Sequence, residues 1–314
     1  MKEFIKKILI KVGLYPKPVA HFVPKVVEQY EQRIIRDGQT GNNYIKEKIL
    51  SNKPLLVGKL GSVELSAIVN YIRLKEKQVK TWNRDVLYTL YNNAGFFPID
   101  KTSCNKLAEF FIECITKVDI LGAWFNEGED WVTEKYCPLA YLTRLRALEP
   151  YYHENPWSEA LAGKTVLVIH PFAESIMHQY QENNTKLFAD KRILPTFTLK
   201  TIKAVQSIAD NKQEIPFKDW FEAYNYMCAQ IQRKQYDVAI IGAGAYGLPL
   251  AAFVKSIGKQ GIHIGGATQI LFGIFGNRWE NNKIISGFRN EHWTRPALHE
   301  RPRGLDKVEG ACYW

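Results

Sequence analysis

The feature that most limits this chain is an alternation running from about residue 54 to about residue 275, in which short apolar, β-rich runs take turns with stretches of helical spacing. A strand that is apolar at nearly every position needs cover on both faces, and an intervening helix returns the chain to begin the next strand in the same direction. The pattern predicts an α/β fold with a mostly parallel, Rossmann-like sheet and helices on both faces. Strands are expected at 55–59, 119–123, 165–169, 192–195, 237–241 and 261–264. Helices are expected at 63–74, 85–92, 105–116, 172–183, 202–209, 218–234 and 245–257. Residues 238–254 carry no charge and approach a membrane span in length, but Gly242, Gly244, Gly247 and Pro249 fit a strand, a tight turn and a packed helix instead.

Ahead of the alternation, Ile5, Ile8, Leu9 and Val12 recur at helical spacing with lysines between them, and a second helix is expected at about 25–35. The chain therefore divides into an N-terminal helical segment (1–45), an α/β domain (46–275) and a C-terminal arm (276–314). The polar, proline-containing stretch 149–164 either splits the domain into halves, 46–150 and 160–275, or forms one long loop.

With 46% hydrophobic and 24% charged residues, the chain can build a full core without metals or disulfides. Five cysteines with no Cys-x-x-Cys pair suit reduced thiols and no zinc site. Lys11 interrupts the first apolar stretch and no cleavage site follows, so a cytoplasmic protein is expected. The net charge of +10 favours anionic partners. Nucleic acid is not the expected one, because the Lys and Arg are dispersed and no zinc-finger or RNA-binding motif is present. The basic helix near the N-terminus is read as an ordinary first helix. Its alternative reading is an interfacial helix that brings residues 1–15 against anionic lipid at the inner face of the membrane.

After the expected strand at 237–241 comes Gly242-Ala243-Gly244-Ala245-Tyr246-Gly247, then a helix. Without β-carbons such a turn brings the backbone close to a phosphate, or packs strand and helix tightly together, and both readings stand. The dinucleotide form of the motif expects an acid at the end of the next strand to hold a ribose. Here that strand ends in His263-Ile264-Gly265-Gly266, which weakens an NAD or FAD reading; neither flavin nor haem is expected. Gly265, Gly266 and Thr268 form a second glycine turn, expected to offer free N–H groups. His263 is either a hydrogen-bond partner in the crevice between the turns or a structural residue.

Nearer the N-terminus, Gly58-Lys59 leads into Leu60-Gly61-Ser62-Val63-Glu64 and an apolar helix. Ser62 is the expected N-cap, and Glu64 would complement the helix dipole. This segment resembles the GT-D-fold glycosyltransferases and related bacterial polysaccharide and glycoprotein glycosylation proteins, whose first strand runs into Arg-Phe-Gly-Asp-Gly-Glu. Residues 237–242 and 258–265 are similar to a strand–Gly-turn–helix–strand–Ile-Gly unit of the same family. The resemblance implies transfer of a sugar from a nucleoside-diphosphate sugar to a glycan or lipid-linked acceptor in bacterial surface polysaccharide assembly. It also implies a divalent metal, Mn or Mg, on an Asp-x-Glu pair. Ser62 replaces that aspartate, so Glu64 is the one metal candidate and basic side chains are an alternative way to neutralise the diphosphate.

The implied diphosphate-binding set is Gly58, Lys59, Gly61, Ser62, Gly242, Gly244, Tyr246, Gly247, His263, Gly265, Gly266 and Thr268. A proton acceptor is sought among Glu64, His170 and Glu174, the last two because they follow a strong strand. The arm, with Trp279, Trp293, Arg295, Tyr313 and Trp314 among its aromatic and basic residues, either packs across the core or forms a stacking lid. A non-catalytic nucleotide-binding module and an NAD-dependent oxidoreductase are the alternative functions.

Overall fold

The computed structural model describes residue 30 and residues 33–314, apart from 210, 212 and 213. The expected helix that carries Ile5, Ile8, Leu9 and Val12 and most of that at 25–35 lie outside these residues. Where the second is described, at 33–35, the chain is not helical; it leads into a β-bridge between Arg36 and Thr143.

One seven-stranded sheet carries the fold, with strands β1 (Leu55–Gly58), β2 (Ile120–Ala123), β3 (Tyr141–Arg144), β4 (Thr165–His170), β5 (Thr198–Lys203), β6 (Val238–Ile241) and β7 (Gln260–His263). Their order is β3-β2-β1-β7-β6-β4-β5 and every pairing is parallel. The helices in chain order are α1 (Gly38–Leu50), α2 (Ser62–Lys75), α3 (Arg84–Asn92), α4 (Lys101–Ile115), α5 (Glu129–Tyr136), α6 (Ala173–Asn183), α7 (Trp220–Gln232), α8 (Gly247–Ser256), α9 (Ala267–Leu271) and α10 (Lys283–Phe288).

The period of two along each strand sorts side chains to two cores. Leu56, Leu121, Leu167, Ile169, Ala239 and Ile241 pack with α2, α4, α7 and α8. Leu55, Val57, Ile120, Val166, Val168 and Ile240 pack with α1, α6, α9 and the C-terminal arm. Crossovers from β1 to β2, β5 to β6 and β6 to β7 run one way across the sheet through helices on the first face. Those from β3 to β4 and β4 to β5 run the other way over the second face, as a single handedness requires. Among the described residues no helix is long and apolar enough to cross a membrane, and the uncharged stretch 238–254 is β6, its turn and most of α8.

Two expectations are corrected. The strand expected at 192–195 is loop, and the helix expected at 202–209 gives way to the end of β5 and irregular chain. In β5, Thr198-Leu-Lys-Thr-Ile-Lys203 is a half-exposed edge strand whose lysines face solvent, so its apolar content is too low to read as a buried strand. β3 at the opposite edge was not foreseen, nor was α1, which Asp37 starts by accepting a 2.9 Å bond from the Thr40 N–H.

Trp220, fully buried at the start of α7, stacks on Tyr246 of the glycine turn with centroids 4.4 Å apart and rings 4° from parallel. Trp220→Ala should lower the unfolding free energy by about 3–5 kcal/mol in urea titrations. A loss under about 1 kcal/mol would mean that this stack does not anchor the turn.

Candidate functional site

In a parallel sheet every strand ends on the same side, and the loops that leave neighbouring strands toward opposite faces open a crevice there. That condition is met across β1, β7, β6 and β4, which are followed by α2, α9, α8 and α6 on alternating faces. A cavity of about 230 Å³ lies at these carboxyl ends. It is smaller than the roughly 300–1,000 Å³ typical of sites that enclose a drug-sized ligand, so it could enclose only part of one.

Lys59, Gly61, Ser62, Glu64, His170, Gly242, Gly244, Tyr246, His263, Gly265 and Gly266 all line the cavity. Gly58, Gly247 and Thr268 do not line it; they pack behind it. A β-carbon on Gly58 would stand 3.0 Å from Leu248, one on Gly247 would collide with the His263 ring, and the buried Thr268 hydroxyl faces Gly242. Glu174 also lies outside, where it is exposed and bound to Lys203 (3.3 Å) and His299 (2.8 Å). With Glu300 these residues form a carboxylate–imidazole cluster, but the Glu300 oxygens already accept from the Glu174 and Ser175 N–H groups and the Ser175 hydroxyl. That arrangement caps α6.

The first glycine turn is open at its tip. Gly244 has a left-handed φ of +52°, and nothing lies within 4 Å of where its β-carbon would be. The amides of Ala243, Gly244 and Ala245 donate to no acceptor among the described residues. Consecutive unpaired amides at a left-handed bend form a concave anion site. The second turn differs from expectation. Gly265 donates its N–H to the Ile241 carbonyl at 3.2 Å, and the Tyr313 ring covers Gly266.

Around Lys59 the charges are dense. Burial lowers its pKa, the nearby Glu64 carboxylate opposes that shift and Arg278 reinforces it. Its ammonium lies 4.2 Å from the centre of the Trp124 ring and makes no ion pair among the described residues. Glu64 occupies the third position of α2 and folds back over Gly61. Gly61, not Ser62, is the N-cap, because its missing side chain leaves the space that the Glu64 carboxylate fills. Ser62 is therefore the first helical residue.

Both cavity imidazoles are neutral, held down to about 3 chiefly by burial. The His170 Nδ1 accepts the Phe172 N–H at 3.0 Å, which puts the ring proton on Nε2. His263 is the reverse: its Nδ1 lies 3.2 Å from the Ile241 carbonyl, which can only accept, so Nε2 carries the lone pair. For a divalent ion the cavity offers a single carboxylate, Glu64, and at most the His263 Nε2 besides neutral hydroxyl and amide oxygens, with a lysine ammonium beside them. That donor set does not fit Mn²⁺ or Mg²⁺, which favour several oxygen ligands.

Trp124, Arg278 and a carboxylate shell were not foreseen. Trp124 follows β2 directly, a position that the sheet topology alone marks. Arg278 arrives from the arm, bonded to the Tyr313 hydroxyl at 2.5 Å. The arm packs across the second core through Trp279, Trp293 and Trp314, and its Tyr313 and Trp314 also reach the cavity. Glu129, fully buried, holds the Trp124 loop by accepting the Trp124 and Asn126 N–H groups at 2.9 and 3.3 Å. No family model, curated protein or solved structure matches the chain.

Burial raises the Glu129 carboxyl from 4.5 to about 7, so its folded form binds a proton more tightly than its unfolded form. Its stabilising contribution is complete below pH 4.5 and is lost as pH rises through about 7. Glu129→Gln keeps an acceptor for both amides and removes the ionisation. In urea titrations its stability relative to wild type should increase from pH 5 to pH 8; a constant difference would contradict the shift.

Proposed function

We propose that the chain binds a nucleoside-diphosphate sugar and transfers the sugar to an acceptor hydroxyl in glycan assembly. The observation that carries this reading is the convergence of the unpaired Ala243–Ala245 amides, the Lys59 ammonium and the Arg278 guanidinium in a cavity that also contains one carboxylate, Glu64. Displacement at an anomeric carbon leaves two negative charges building on a departing diphosphate, and preorganised donors and cations stabilise that charge most where water is excluded.

In the reaction, the acceptor oxygen forms a bond to the anomeric carbon as the bond to the diphosphate oxygen breaks. The hydroxyl proton goes to Glu64. Of the proton acceptors considered, Glu174 points away from the cavity and His170 presents a donor, which suits it to the diphosphate or a sugar oxygen. Lys59 and Arg278 supply the countercharge for the diphosphate, so the reaction proceeds without a divalent ion. The glycan or lipid-linked acceptor would approach from the open mouth, because the cavity is too small for both substrates.

A non-catalytic nucleotide-binding module is the second reading. It is favoured by the way Glu64 folds against the start of its own helix, as a cap would. The two readings separate on labelled UDP- and GDP-sugars: transfer or hydrolysis above the blank supports the enzyme, whereas binding without turnover supports the module. Glu64→Gln should reduce turnover by about 10²–10⁴ and leave diphosphate affinity within a few-fold, as expected for a lost general base. Lys59→Met should weaken nucleoside-diphosphate binding by about ten- to a hundredfold, and EDTA should leave wild-type binding unchanged. Thermal stabilisation by NAD(H) alone would point to oxidoreduction.

A further inference from the structure

The unit β6–glycine turn–α8–β7 has the layout of a dinucleotide-binding βαβ element. β7 pairs directly with β6, and His263 at its end stands beside Ile241. In such elements an acid at the end of the second strand accepts hydrogen bonds from a ribose. This chain has an imidazole at that point, and the tertiary structure fixes its chemistry.

Two contacts clamp the ring. The Ile241 carbonyl engages Nδ1 at 3.2 Å, and α8 begins against the ring at Gly247, where any β-carbon would collide with it. Gly58 packs at the base of the same side chain, its absent β-carbon 3.5 Å from the His263 Cβ. The ring can neither flip without losing its carbonyl nor tilt toward α8. Nε2 is left as a lone-pair acceptor on a residue that is 4% exposed and lines the cavity, with no hydrogen-bond partner among the described residues. The other polar groups at the turn are donors: the Ala243–Ala245 amides, the His170 Nε2–H and the Lys59 ammonium. Phosphate oxygens satisfy all of those and cannot satisfy His263. A ligand that completes this set brings a hydroxyl next to its phosphates.

We infer that His263 accepts a hydrogen bond from a ribose hydroxyl of the bound nucleotide, so that the site selects ribonucleoside over deoxyribonucleoside diphosphates by an uncharged acceptor in place of the usual acid. The inference rests on the nucleotide reading above and narrows its substrate class.

Calorimetric titration of the full chain with UDP, GDP, ADP and CDP identifies the nucleotide that binds, and the 2′-deoxy and 3′-deoxy forms of that nucleotide follow. Loss of one hydroxyl should weaken binding about tenfold, the cost of leaving a desolvated acceptor unpaired. His263→Phe keeps a flat ring and removes the acceptor, so its ribo- and deoxyribonucleotide affinities should converge. A merely structural role for the ring would weaken both forms alike and preserve their ratio. Equal wild-type affinity for ribo and both deoxy forms would overturn the role of His263 and leave the nucleotide reading standing. Failure of all four diphosphates to bind would overturn both. Should His263→Phe not fold, the ligand series on the wild type decides.

Discussion

The whole arrangement depends on where the last strand goes. β7 enters the sheet between β1 and β6, pairing with Leu55–Val57 on one side and with Val238–Ile241 on the other. Its main-chain groups have no water to bond, so both neighbours must supply partners along its length. Gly261 meets that constraint on the α8 side, since a β-carbon there would stand 2.8 Å from the Ala251 carbonyl oxygen. Because β7 joins strands from the two ends of the chain, it brings Lys59 and Glu64, from the loop after β1, against the turn after β6.

The glycines of that region divide by physical role. Gly242 and Gly247 are small because neighbours need the space: the His170 ring lies 2.5 Å from where a β-carbon on Gly242 would sit, and the His263 ring lies against Gly247. Gly244 is different, since its left-handed backbone disfavours a side chain and nothing crowds it. One motif thus contains packing and an open bend, with the packing glycines clamping the imidazoles that face the same cavity.

Electrostatics around the cavity follow from depth. Lys59 and Arg278 are held near Glu64 and Glu149, and burial raises the pKa of Glu149, which favours its neutral form and leaves the two cations less compensated. Glu129 is also pushed toward its neutral form and ties down the loop that places Trp124 under the Lys59 ammonium. An indole face attracts a cation without neutralising it, which opposes the effect of burial on the Lys59 ammonium.

The central strands, the helices that follow them and the Gly242–Gly247 turn were legible in the sequence, because burial on both faces writes a continuous apolar run and a tight turn demands glycine. The edge strands β3 and β5 were not, since each is short and carries few apolar residues among its polar and basic ones. Local sequence also named eleven of the residues that line the cavity, as carboxyl-end residues follow strands in order. It could not tell that Glu174 points outward, that Gly61 rather than Ser62 caps α2, or that Arg278, Trp124 and Tyr313 meet Lys59. The first and last of those facts depend on residues far apart in the chain, and the cap on how the Glu64 carboxylate folds over Gly61. What the chain determined by itself was the parallel sheet and the side on which its ends gather; which atoms face one another there was decided only when β7 closed the sheet.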